Sequence, residues 1–226
     1  IKMKVNNEHA PLEYLYPLIK SDDLTVEKSI NYQIKEGILD FLEPYDNKEL
    51  SAKNTRALLE YLKDYYLKYF GGGIMFIDYE IYRLDDRFLS MRLEYVTIGA
   101  YSHVNSEYYC FALTTGNRLT IKNMIKPFAL DQLIEELEKM KRARFKRHIG
   151  NLEDDEYHTK EHLEAEIKHY SEVTIETIDR FYITSSEIGF DLMYGFPHAI
   201  KALEPDNIFL FEIEKFDKYL NPKILN

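Results

Sequence analysis

The feature that most constrains this chain is a change of hydrophobic period near residue 73. Before it apolar side chains recur every three to four residues; after it they alternate, and no one element satisfies both patterns. Ile30, Ile34, Ile38 and Phe41 share a helical stripe that follows the N-cap candidates Ser21, Asp22 and Asp23 and stops at Glu43-Pro44, where proline disfavours continuation. This predicts a first helix over 24–43. Leu58, Leu62, Tyr65 and Tyr69 repeat the pattern up to Gly71-Gly72-Gly73, which predicts a second helix over 49–70. Ile77, Tyr79 and Ile81 then alternate with Asp78 and Glu80, and Leu89, Met91, Leu93 and Tyr95 alternate with Ser90, Arg92 and Glu94. These are two half-buried strands joined near Asp85-Asp86, and a third, Tyr108 to Leu113, runs into the turn signal Thr114-Thr115-Gly116-Asn117.

Upstream, Leu12 to Ile19 reads as extended, with Pro17 at a strand edge or end. Helical character returns over 129–170, with Leu130, Leu133, Ile134, Leu137 and Met140 on one stripe and Leu163, Ile167 and Tyr170 on another, separated by the acidic run Glu153-Asp154-Asp155-Glu156. Phe181 to Ile183, Ile188 to Tyr194 and Ile208 to Ile213 read as three closing strands, followed by a helical turn near Phe216 to Leu220. The expected class is α+β: an antiparallel sheet of about five to seven strands with helices packed on one face. No repeat or linker forces a division, so one domain over 1–226 is expected, with a sub-division near 127 if there is one.

The formal net charge of −10 opposes general binding to nucleic acid or an anionic membrane. No apolar run reaches the ~20 residues of a membrane-spanning helix, so no insertion is expected. Cys110, the only cysteine, excludes an internal disulfide, and its flanks Tyr109 and Phe111 predict a buried side chain in a strand. The chain opens on Ile1 rather than methionine, which raises the expectation of a signal peptide or lipid anchor upstream.

Several phrases stand in a recognisable order. Tyr16-Pro17 closes the early strand, Ile30-Asn31 lies in the first helix, Leu89 to Tyr95 alternates, Tyr108 to Thr120 combines an aromatic strand with a Thr-Gly turn, and Phe181 to Phe190 forms a hairpin. In this it resembles the extracytoplasmic domain of unknown function shared by the anti-sigma factor RsiV and the non-catalytic part of the peptidoglycan deacetylase PdaC. The resemblance implies an α+β fold, a bacterial cell-envelope setting and no catalytic residue. Where that family carries a Gly-Gly-Ala-His segment, this chain has Ile98-Gly99-Ala100-Tyr101-Ser102-His103.

Among motifs that carry chemistry, His158-Thr159-Lys160-Glu161-His162 matches the inverted zinc-protease pattern, since residues four apart on a helix share a face and both imidazoles could reach one metal. A third ligand has no fixed position, and the bland reading is a solvated helix face. His148 and His169 extend the histidine-rich stretch. Lys139, Lys141, Arg142, Arg144, Lys146 and Arg147 suggest an anion site, against the blander exposed helix face balanced by the acids that follow. Ser102 and His103 invite a nucleophile-and-base reading, but adjacent strand residues point to opposite faces and no Gly-x-Ser-x-Gly elbow exists. Gly71-Gly72-Gly73 lacks the Gly-Lys-Ser/Thr ending of a phosphate loop. The expected site is therefore a binding loop of Gly99, Tyr101, Ser102, His103 and Asn105 that meets a protein or a peptidoglycan-type glycan and needs no cofactor. The alternatives are a zinc-dependent hydrolase centred on His158 and His162, and a structural or assembly domain of a larger polypeptide.

Overall fold

Asp23 starts the first helix by accepting from the Thr25 amide at 2.8 Å and the Val26 amide at 3.4 Å. The helix, α1 (Leu24–Phe41), buries Ile30, Ile34 and Ile38 completely. Each contributes roughly 1.5–3 kcal/mol of transfer free energy. The expected second helix is two. α2 (Asn47–Ala52) ends just before Asn54, which caps α3 (Thr55–Lys68) by accepting from the Ala57 amide at 3.0 Å. Lys35 of α1 is buried and donates to the Ser51 and Lys53 carbonyls at 2.6 and 3.2 Å, which ties α1 to the break between α2 and α3.

The structure is a computed structural model that describes residues 1–5, 11–41, 47–69, 73–99, 101–152, 160–161, 172–196 and 198–221. Its contacts divide the chain into two units, Ile1–Leu119 and Thr120–Asn226. The fold class is α+β, as read from the sequence. In the first unit a six-stranded sheet runs in chain order: β1 (Lys2–Val5), β2 (Leu12–Leu15), β3 (Gly73–Leu84), β4 (Phe88–Ile98), β5 (Ser102–Ala112) and β6 (Asn117–Arg118). One neighbouring pair departs from the expected antiparallel pattern, because β2 runs parallel to β3. Parallel neighbours need a long crossover, and α1 to α3 supply it. Leu58, Leu59 and Leu62 of α3 join the α1 isoleucines on one face of the sheet, against Ile74, Ile77, Leu89, Met91, Leu93, Tyr95, Tyr109 and Phe111.

Two joints hold this packing. Asn31 accepts from the Ile19 amide at 2.9 Å and donates to the Ile19 carbonyl at 2.8 Å, which fixes the chain between β2 and α1. Gly116, at φ +71°, turns β5 into β6, and its carbonyl accepts from Ser29 Oγ at 3.0 Å and Gln33 Nε2 at 2.8 Å. The Ile-Asn pair and the Thr-Gly turn, both among the phrases that carry the family resemblance, are thus joints of the fold.

The second unit opens with α4 (Ile121–Met124) and α5 (Leu130–Asn151) and then forms a separate antiparallel sheet, β7 (Phe181–Ile183), β8 (Glu187–Asp191) and β9 (Ile208–Glu212), closed by α6 (Ile213–Phe216). α5 buries Leu133, Leu137, Lys141, Phe145 and Ile149, every fourth residue. Phe190 lies 5.8–6.3 Å from the rings of Phe181, Phe211 and Phe216, so this core is largely aromatic. The stripe Leu163, Ile167, Tyr170 and the acidic run 153–156 lie outside the described residues. Among the described residues no helix is long and apolar enough to cross a membrane.

Candidate functional site

Eleven successive register pairs join β4 to β5, from Phe88↔Ala112 to Ile98↔Ser102. The pairing places Ser102, His103, Val104 and Asn105 inside β5, so the expected loop contracts to the tip around Gly99 and Tyr101. The sequence hid this because 102–106 mixes polar residues with a single valine and shows no apolar alternation. The partner strand recruits it. At the tip the Gly99 amide donates to the Tyr101 carbonyl at 3.2 Å. Gly99 adopts no positive φ, and nothing stands within 4 Å of where a Cβ would be, so the tip does not demand glycine there.

Antiparallel register sorts these side chains by face. His103 lies opposite Thr97 and Asn105 opposite Tyr95, on the face that farther along carries Met91 and Tyr109 towards the helices. Ser102 lies opposite Ile98 and Val104 opposite Val96, on the other face. Ser102 and His103 therefore point apart and make no nucleophile-base pair. Tyr101 is 70% exposed and Val104 59%, and Ser102 and His103 are exposed beside them. The His103 carbonyl accepts from Thr97 Oγ1 at 3.4 Å and lies 3.5 Å from Asn105 Nδ2. These residues form a rigid, solvent-facing strand end with an aromatic ring, two hydroxyls, an imidazole and an amide. Such a set can hold a ligand by stacking and hydrogen bonds, and it contains no activated nucleophile.

Two features escaped sequence reasoning. Farther down the same strands, Arg92 bridges Glu80 at 3.4 Å and Glu94 at 3.6 Å, and burial pushes the nearby Tyr82 hydroxyl well above its ordinary range. The alternation of Glu80, Arg92 and Glu94 with apolar residues was the available signal. In the second unit, an open groove of about 660 Å³ is lined by Gln132, Glu135, Glu136, Lys139, Lys218 and Tyr219. A hydrogen bond from the Tyr219 hydroxyl, with a further one from Lys218, holds the Glu136 carboxyl below its usual range. Nothing in the local sequence links residues some eighty positions apart.

The other expected sites fare differently. His158 and His162 lie outside the described residues, as do His169, Gly71 and Gly72. Among the described residues no three His, Cys, Asp or Glu side chains converge as metal ligands. His148 meets the Leu203 carbonyl at 2.9 Å. Three of the six basic residues of α5 are engaged in packing or pairing: Lys141 donates to the Met193 carbonyl at 2.9 Å, Arg142 pairs with Glu138 at 2.5 Å, and Arg144 pairs with Asp206 at 2.9 Å while lying 3.8 Å above the Phe209 ring. Cys110 is buried, with its Sγ 3.3 Å from Ser90 Oγ.

No family model and no curated protein matches the chain. Solved structures do. A DUF3298-family protein from Bacteroides fragilis aligns at 14% identity and a TM-score of 0.63 over 99% of this chain and 94% of its own. A DUF3298-family protein from Pseudomonas aeruginosa aligns at 11% identity and a TM-score of 0.61 with the same coverage. At such identities the likeness is one of fold, to a domain of unknown function.

Proposed function

We propose that the chain is a non-catalytic recognition module of a bacterial cell-envelope protein, which meets a protein or a peptidoglycan-type glycan at the β4–β5 tip. The observation that carries this reading is the exposure of Tyr101, Ser102, His103 and Val104 together on the end of a fully paired hairpin. A rigid scaffold with exposed aromatic and hydrogen-bonding side chains at one end is the usual build of a binding element. The extracytoplasmic setting is supported by the resemblance to the RsiV and PdaC domain, and a bacterial source by the origin of the two structurally similar proteins.

The test is capture of the chain by immobilised lysozyme and by insoluble peptidoglycan, side by side with Tyr101→Ala and His103→Ala. The expected result is retention on one of the two matrices that falls about three- to tenfold for Tyr101→Ala, the span of one lost aromatic contact. Retention on neither matrix, or equal retention of both variants and the parent, overturns the reading. Metal analysis of the same samples addresses the hydrolase alternative: stoichiometric zinc that is lost in His162→Ala would replace the recognition module with a metal centre.

A further inference from the structure

We infer that the tip is one end of a longer aromatic surface, built from Tyr61 and Tyr65 of α3 and Tyr69 at its C-terminal cap together with Tyr101, and that it takes an uncharged, hydroxyl-rich glycan strand. The inference rests on the proposed tip site and names its ligand class.

Tyr61 and Tyr65 are four residues apart on α3 and share a helix face, and Tyr69, the residue that caps the helix, continues the row through its ring contact with Tyr65. Their ring centroids are 6.3 Å apart from Tyr61 to Tyr65 and 4.8 Å from Tyr65 to Tyr69. Tyr61 and Tyr65 are half-buried and Tyr69 is 49% exposed, so the row emerges from the surface towards the helix C-terminus. That terminus lies at the tip end of the sheet. Gly73, at φ +117°, sits so close to Tyr65 that a Cβ there would be 3.2 Å from the ring. Gly73 registers opposite Ile98, and Ile98 registers opposite Ser102. The Tyr65 ring is therefore packed at the strand row that bears the hairpin tip, and Tyr101 stands on the turn immediately beyond that row.

Charge selects the ligand. The side chains that make the surface, namely the four tyrosines with Thr97, His103 and Asn105, carry rings, hydroxyls, an amide and an imidazole, with the Lys68 ammonium 5.0 Å over the Tyr69 ring, and no carboxylate. A cationic protein would need carboxylates along its contact, and an anionic polymer would be repelled by a chain of net charge −10. An uncharged sugar chain asks for neither. Its C–H faces pack on flat rings that lose little conformational freedom, and its hydroxyls pair with short polar side chains.

The probe is a soluble hexamer of β-1,4-linked N-acetylglucosamine, titrated into the whole chain by calorimetry and two-dimensional amide NMR. Binding is expected, with shifted amides in residues 61–69 as well as in 97–105. Tyr69→Ala and Tyr101→Ala should each weaken it about three- to tenfold, and Tyr69→Phe, which keeps the ring, should restore most of the loss. Thermal unfolding of Tyr69→Ala close to that of the parent shows that the fold is intact, as expected for a half-exposed side chain; Tyr69→Ser serves if alanine perturbs the helix. If the hexamer binds and only Tyr101→Ala weakens it, the aromatic surface is refuted and the tip site stands. If the hexamer does not bind while immobilised lysozyme retains the chain through Tyr101, the ligand class is refuted and recognition at the tip survives. If neither binds, both fall.

Discussion

The two units solve the same burial problem with different materials. The first packs aliphatic helix stripes onto a six-stranded sheet, and its tightest constraints are steric: a Cβ on Gly37 would stand 2.0 Å from the Tyr109 hydroxyl, and one on Gly116 would meet the Val26 backbone at 3.1 Å. The second surrounds a three-stranded sheet with aromatic rings and encloses charge. Asp191 is 4% exposed and Lys141 5% exposed. Neither kind of constraint is exclusive, since Lys35 is buried in the first unit and a Cβ on Gly189 would stand 2.3 Å from the Tyr182 ring in the second. The sharpest volume test nonetheless lies at Gly37, and the sharpest charge tests at Asp191 and Lys141.

The largest effect is expected where a buried charge loses its partner. Asp191 pairs with Arg180 Nη2 at 2.6 Å and accepts a hydrogen bond from the Asn207 side chain. Asp191→Ala would remove the acceptor that both donors share, and breaking a buried pair from one side costs about 3–5 kcal/mol. Because Arg180 is 29% exposed and can recover some hydration, the lower end of that range is expected in urea unfolding. A loss below ~1 kcal/mol would show that Arg180 is adequately solvated without its partner and that the second unit is not held by charge.

Next comes volume. Tyr109 is fully buried, stacked on Phe111 at 5.8 Å and covered by Arg118 at 4.7 Å, so its ring has little room to retreat. Gly37→Ala gains up to about 1 kcal/mol of helix propensity, but overpacking costs about 1–3 kcal/mol and should win, giving net destabilisation. The Tyr109 hydroxyl has no hydrogen-bond partner among the described residues, so Tyr109→Phe removes the colliding atom without breaking a bond. Gly37→Ala combined with Tyr109→Phe should be more stable than Gly37→Ala alone, a coupling that a double-mutant cycle measures directly. Additive effects would mean that the helix moves rather than the ring.

How much of this was legible follows from the range of each interaction. The switch of period, the Asp23 cap and the Ile30, Ile34, Ile38 stripe are local, and the first helix runs as expected from Leu24 to Phe41, beyond which 42–46 lie outside the described residues. The break at Asn54 was legible in principle, since Asn54-Thr55 is a capping signal, but the apolar stripe runs on through it. β1 is four residues with lysine at alternate positions, too short and too polar to announce itself before β2 pairs with it. The parallel β2–β3 contact depends on where the chain returns after three helices. Tyr101 and its neighbours stand out in the sequence as candidates, yet their sorting by face comes from register with β4, which no local pattern encodes.

The smallest and most discriminating effect concerns Lys141. Its ammonium lies 5.1 Å from the centre of the Tyr194 ring and donates to the Met193 carbonyl, with Glu138, Glu204 and Arg142 as the charges that act on it. Burial dominates and holds its pKa below the ordinary lysine value of 10.5. Between the folded value and 10.5 the unfolded chain binds more protons than the folded one, so this group makes stability rise with pH across that window. Below the window its burial carries the full penalty. Lys141→Met keeps the stem's packing and removes the charge, at the expense of the bond to Met193. The stability of Lys141→Met relative to the parent should therefore be greatest below the folded pKa of Lys141 and decline as pH rises through that value towards 10.5 in parallel urea titrations. The Gly37→Ala difference, which involves no titrating group in that range, should stay flat. A Lys141→Met difference that is equally flat would mean that the bond to Met193 and the facing glutamates offset the cost of burial, and Asp191 alone would then stand for costly buried charge in the second unit.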